Sequence, residues 1–133
     1  LLFNEVRRKF RIRGSLKQVY RNRDAITDEL VDILHGPSCD PGAQKVFASI
    51  LRAPAGPRPS ELLPQIKQPL LVLWGENDPW TPIAGASIYE ELSKTADIDP
   101  PVTFHSIPDT GHCPHDERPE IVNAFIKDWL QTL

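Results

Sequence analysis

The 133 residues predict an α/β chain, with a helical first half followed by a β-α-β-α unit of a parallel sheet. Three observations carry this. "PLLVLW", ending at Trp74, is an apolar run without alternation, bounded by Pro and Gly, which suits a strand buried on both faces. "VTFHSI", from Val102 to Ile107, reads as a second strand, with a helical stretch between the two. The last segment, from about Pro119 to Leu130, places Ile121, Phe125 and Trp129 in one row and Val122, Ile126 and Leu130 in the next, as a helix does.

The elements follow in order. Leu2, Phe3, Val6 and Phe10 recur at three- and four-residue steps, a helix. Gly14-Ser15 predicts a break, and Leu16, Val19 and Tyr20 a second short helix. Thr27 or Asp28 caps a third, carrying Leu30, Val31 and Leu34. "HGPSCDPG" reads as a loop, Ala43 to Leu51 as a fourth helix, and "RAPAGPRP" as a linker. "ELLPQI" is one helical turn. After the first strand comes the turn "GENDPWTP". Thr81 then caps a helix with Pro82 at its first position. "PDTGHCPHDERP" reads as a long loop, with Asp116 as cap of the final helix. The strands should be parallel with a right-handed crossover.

Two strands cannot make a parallel sheet covered on both faces, so further strands are expected from residues outside this sequence. The absence of Met, position 1 included, likewise predicts a piece of a longer or processed product. The expected organisation is a helical cap or lid over 1–60 and an incomplete core domain over 61–133.

Composition narrows the function. The net charge of −3 implies no nucleic-acid partner. The charge is uneven, however: residues 1–23 hold eight of the fifteen Lys and Arg against a single acid, Glu5. Such a segment suits a solvated helix face or contact with a membrane surface. Cys39 and Cys113 form no CxxC, so neither a disulfide framework nor a zinc finger is indicated, and a reduced compartment fits. No apolar run reaches the length of a membrane span.

The chemistry gathers at one edge. Asp78 follows the first strand and His112 the second. If the strands are neighbours, about 4.8 Å apart, both loops leave the carboxyl-terminal edge, where open α/β sheets place their sites. A carboxylate there fixes the tautomer and orientation of an imidazole and stabilises the imidazolium.

"LLVLWGENDPWTP" and "IPDTGHCPHDERPEIVNAFIKDWL" resemble the carboxyl-terminal segments of the α/β-hydrolase fold, whose chain order is nucleophile, acid, histidine. The resemblance implies a partial α/β-hydrolase fold. It makes Asp78 the triad acid and His112 the base of a serine-type ester hydrolase that requires no cofactor. "LKQVY", "DPGAQKVFASIL" and "GHCPHDERPE" resemble the plant and cyanobacterial pheophytinase-like branch, which implies a plastid or cytoplasmic setting. The nucleophile elbow G-x-S-x-G is absent: "GASIY" around Ser87 lacks the second Gly, lies in a predicted helix and follows Asp78. The serine is therefore expected from the amino-terminal half of the same protein, and the 133 residues alone are expected to hydrolyse nothing.

Other readings stay open. Glu76 and Asp109 are alternative acids. His112, Cys113, His115 and Asp116 have metal-ligand chemistry, but their spacing is too close for the usual arrangement, so no metal is expected. Cys113 as nucleophile lacks a context that would lower its pKa. His105, alternating with apolar neighbours, reads as structural. Trp80 lines a substrate pocket or fills core; Phe47 and Ile50 face a pocket from the cap or pack within it. The expected substrate is a small apolar ester. Dehalogenase, epoxide-hydrolase or C–C hydrolase chemistry, or a non-catalytic interaction module, are the alternatives.

Overall fold

A computed structural model describes residues 2–133, and Leu1, the first residue of the expected cap segment, lies outside them. The chain divides into two compact units. One comprises the residues up to Gln18 together with Arg23–Gly56; the other comprises Val19–Asn22 and Pro57–Leu133.

The first unit is helical, with α1 (Leu2–Val6), α2 (Lys9–Val19, whose last residue belongs to the second unit), α3 (Asp28–Ser38) and α4 (Ala43–Arg52). The break expected at Gly14 falls instead at Arg7–Arg8, and α2 runs straight through Gly14. A helical glycine costs only about 1 kcal/mol relative to alanine, too little to end a helix by itself. Thr27 caps α3 by accepting the Leu30 N–H at 3.0 Å. That helix continues through His35-Gly36-Pro37 into the segment expected to be loop. Pro37 removes one intrahelical donor in the final turn, where little helix is left to disrupt. Ile26 and Val31 are the buried apolar residues here, and Phe3 and Phe47 meet at 5.5 Å between ring centres. The basic residues find partners within the unit: Arg8 with Glu5, Lys9 with Asp32 at 2.6 Å, and Arg13 with Asp28.

The second unit opens with α5 (Pro59–Leu62) and a 3-10 turn. β1 (Leu70–Gly75) pairs parallel with β2 (Val102–Ile107), from Leu70 opposite Val102 to Gly75 opposite Ile107. α6 (Ser87–Ser93) makes the crossover, entered by a 3-10 turn over Ile83–Ala86. Pro82, not Thr81, stands at the cap position, because the Thr81 hydroxyl is turned to Asp78. After β2 the expected loop contains a short helix, α7 (Pro114–Glu117), before α8 (Pro119–Leu130). Asp116 lies inside α7 and does not cap α8; it accepts the Tyr20 hydroxyl at 2.6 Å. The core of this unit holds Val19, Tyr20, Ala86, Ile107 and Val122, while the strand residues 70–74 are only half-buried. No helix among the described residues is long and apolar enough to cross a membrane.

Candidate active site

The parallel register brings the two strand ends side by side, and backbone bonds then stitch their loops. The Glu76 N–H donates to the Ile107 carbonyl at 3.0 Å, and the Asn77 N–H to the Thr110 carbonyl at 2.9 Å. Asp78 and His112 leave these stitched loops. Nδ1 of His112 lies 2.8 Å from Oδ2 of Asp78.

Asp78 is buried and saturated with donors. Its Oδ1 accepts the N–H groups of Trp80, at 2.8 Å, and Thr81, at 2.9 Å; its Oδ2 accepts the Thr81 hydroxyl as well as the His112 ring. An ionised carboxylate has about four acceptor positions, and all are used. Burial alone would push this carboxyl up. The hydrogen bonds from Thr81, His112 and Trp80 together overcome that, and the group is held below the usual carboxylate range. A carboxylate at Oδ2 places the shared proton on Nδ1 and leaves Nε2 of His112 free to act as a base. The His112 side chain is 35% exposed, against 6% for Asp78, so the ring is the more open member of the pair. Both residues line a cleft of about 180 Å³, with Leu73, Trp74, Thr81 and Pro114.

Trp80 stands beside the pair, its ring 5.3 Å from that of His112 and 62% exposed, so it fills no core. Phe47 and Ile50 belong to the helical unit, where with Phe3 and Val46 they line an apolar groove of about 440 Å³.

The remaining candidates are engaged elsewhere. Glu76 accepts the Ser106 hydroxyl, and Asp109 pairs with Arg21 at 3.9 Å. Ser87 begins α6. His105 stacks on Phe125, with ring centres 4.0 Å apart and planes 8° from parallel. No group of three His, Cys, Asp or Glu among the described residues could hold a metal ion. Burial pushes the Cys113 thiol up; a bond with Tyr20 works against that, and the carboxylates of Asp116, Glu117 and Asp78 add to the rise. A nucleophilic thiol needs the opposite shift. Tyr20 is itself raised, by burial first and then by its bonds to Asp116 and Cys113.

Two residues of this site were not singled out for it by the sequence. Thr81 passed for a helix cap. Glu117 is hidden in the charge run "HDERPE", and its position between Pro114 and Pro119 was the available signal.

The pattern of the alpha/beta hydrolase family matches residues 4–125. The chain belongs to the alpha/beta hydrolase family. Among curated proteins, this hydrolase-family chain is 34% identical over 123 residues to the chloroplastic pheophytinase of Arabidopsis thaliana, covering 89% of the chain and 24% of that relative. It is 28% identical over 118 residues to the uncharacterized hydrolase YugF of Bacillus subtilis (strain 168), covering 88% of the chain and 41% of that protein. The chain thus spans about a quarter of the first and two fifths of the second. No solved structure matches it. A partial α/β-hydrolase fold follows.

Proposed function

We propose that Asp78 and His112 are the acid and base of a serine-type triad that hydrolyses an apolar ester, the serine lying on polypeptide outside these 133 residues. The observation that carries this is the 2.8 Å bond between His112 Nδ1 and the saturated carboxylate of Asp78. The small share of each relative that the chain covers supports a nucleophile carried elsewhere in the whole protein.

In this reading Nε2 of His112 takes the serine proton as the hydroxyl attacks the ester carbon. The imidazolium, stabilised by Asp78, then gives that proton to the departing alcohol. A water takes the alcohol's place, and His112 removes its proton as it attacks the acyl-enzyme, then returns that proton to the serine oxygen as the acid leaves. Asp78 keeps its charge throughout and holds the ring's tautomer. The residues described here hydrolyse nothing without the serine.

Trp80 is assigned the apolar part of the substrate, because it presents a large exposed aromatic face beside the His112 ring. Phe47 and Ile50, 39% and 68% exposed, are apolar side chains open to a ligand in the helical unit. The Arabidopsis relative is named a chloroplastic pheophytinase, so pheophytin is the first ester to try and the plastid the first compartment to examine.

The deciding experiment uses the full-length protein and a serine-directed fluorophosphonate. Labelling of one serine, lost in His112→Ala together with ester hydrolysis, is the expected result. Undiminished hydrolysis in His112→Ala overturns the assignment. Hydrolysis without labelling removes the serine and points to an aspartate nucleophile.

A further inference from the structure

Glu117 is a buried acid with no role in the chemistry above. It is 3% exposed, and its carboxylate is spent entirely on backbone. Oε1 accepts the Gly111 N–H at 3.0 Å, and Oε2 accepts the N–H groups of Arg21 and Asn22, each at 2.8 Å. The Glu117 carbonyl accepts the Asn22 side-chain amide at 3.3 Å. From the other side, the His112 N–H donates to the Val19 carbonyl at 2.9 Å. The segment Val19–Asn22 is thereby closed into a ring with Gly111, His112 and Glu117. There is no slack in it: a β-carbon on Gly111 would come within 2.3 Å of the Val19 oxygen and 2.8 Å of both the Arg21 nitrogen and Glu117 Oε1.

We propose that Glu117 is a positioning residue for His112, fixing the backbone at 111–112 and with it the angle at which the imidazole meets Asp78. Burying a carboxylate is costly unless donors replace its water, and three N–H groups do so here through charge-assisted bonds. Two of those donors lie more than 90 residues away in sequence, so the acid serves the tertiary junction rather than α7. Two described bonds hold residue 112 itself, one from its N–H to Val19 and one from its ring to Asp78. The adjacent Gly111 N–H is the lever through which Glu117 sets where that ring begins.

The proposal rests on His112 being the base. Its test is Glu117→Gln in the full-length protein, a near-isostere with one acceptor oxygen in place of two, which turns an amide N–H₂ toward a backbone donor. The expected result is a loss of about 10- to 100-fold in kcat per folded molecule, the range a small misplacement produces, with KM little changed. The downfield proton resonance of the His112 Nδ1–H should shift or broaden. A role confined to folding would lower the melting temperature and leave both kcat per folded molecule and that resonance as in wild type; this outcome overturns the proposal. Should Glu117→Gln fail to fold, Glu117→Asp keeps the charge and gives up reach, and the same two readouts apply with the same overturning result. His112→Ala in parallel separates the two ideas. If it leaves hydrolysis intact, the site assignment fails, while the resonance in the Glu117 variants still reports on positioning.

Discussion

Gly75 and Gly111 meet backbone to backbone: a β-carbon at position 75 would sit 2.0 Å from the Gly111 carbonyl oxygen and 2.6 Å from that of Thr110. The end of β1 and the histidine loop therefore pack with no side chain between them. Gly75→Ala must push the Thr110–Gly111 backbone away, and His112 with it. Because backbone rather than a flexible side chain receives the clash, the cost should reach the upper part of the overpacking range, about 3 kcal/mol. Thermal melting of the full-length variant measures this. The fluorophosphonate labelling rate should fall along with stability. An alanine variant that melts and labels like wild type would show that the loop has room the structure denies it.

Asp78→Asn preserves shape and loses the charge. An amide can present its N–H₂ to the ring and so select the wrong tautomer, which in triads costs about 10⁴-fold in kcat. Steady-state kinetics of the full-length protein should show that loss with KM nearly constant. Equal losses in Asp78→Asn and in a Glu76→Gln control would contradict the assignment, since Glu76 is held by Ser106.

The depressed pKa of Asp78 carries a stability prediction. Its stabilising contribution is present above the unfolded carboxyl value, about 3.9, and is lost as pH falls through the lower folded value. Thr81→Val removes a hydroxyl donor from Oδ2, so the folded value should rise toward the ordinary one. The variant should lose roughly 1–3 kcal/mol at neutral pH, the worth of a bond to a charged group, and the gap to wild type should narrow in strong acid. Urea melts at neutral and strongly acid pH test the sign. A gap that widens in acid would mean the hydroxyl favours the protonated form.

The strands were legible because continuous apolar runs between Pro and Gly leave few alternatives. A parallel register then sends the Asp78 and His112 loops to one edge by geometry alone. What was not legible depends on partners distant in sequence. Asp116 carries the local signature of a helix cap, yet Tyr20 takes its carboxylate from 96 residues away. Thr81 and Pro82 look like a helix start, but four donors were needed to satisfy a buried Asp78, and the hydroxyl went there. Glu117 gave little local sign beyond the prolines that flank it, since what it binds is backbone N–H, which every residue but proline possesses.

Trp80 gives the sharpest separation between substrate contact and fold. At 62% exposed it contributes little to stability, so Trp80→Ala should leave the melting temperature nearly unchanged. Its ring stands 5.3 Å from the His112 ring, within reach of any ligand bound at that imidazole. Loss of part of an aromatic contact area should cost about 1–2 kcal/mol of apolar ester binding. KM should therefore rise roughly five- to thirtyfold for long-chain esters and much less for acetate esters, with kcat held within a small factor. His105→Leu is the companion control: that ring stacks on Phe125, away from the pair, and its loss should leave both kinetic constants as they are. If Trp80→Ala instead lowers kcat equally for short and long esters, the indole orients the His112 ring rather than the substrate, and the apolar pocket must be sought elsewhere.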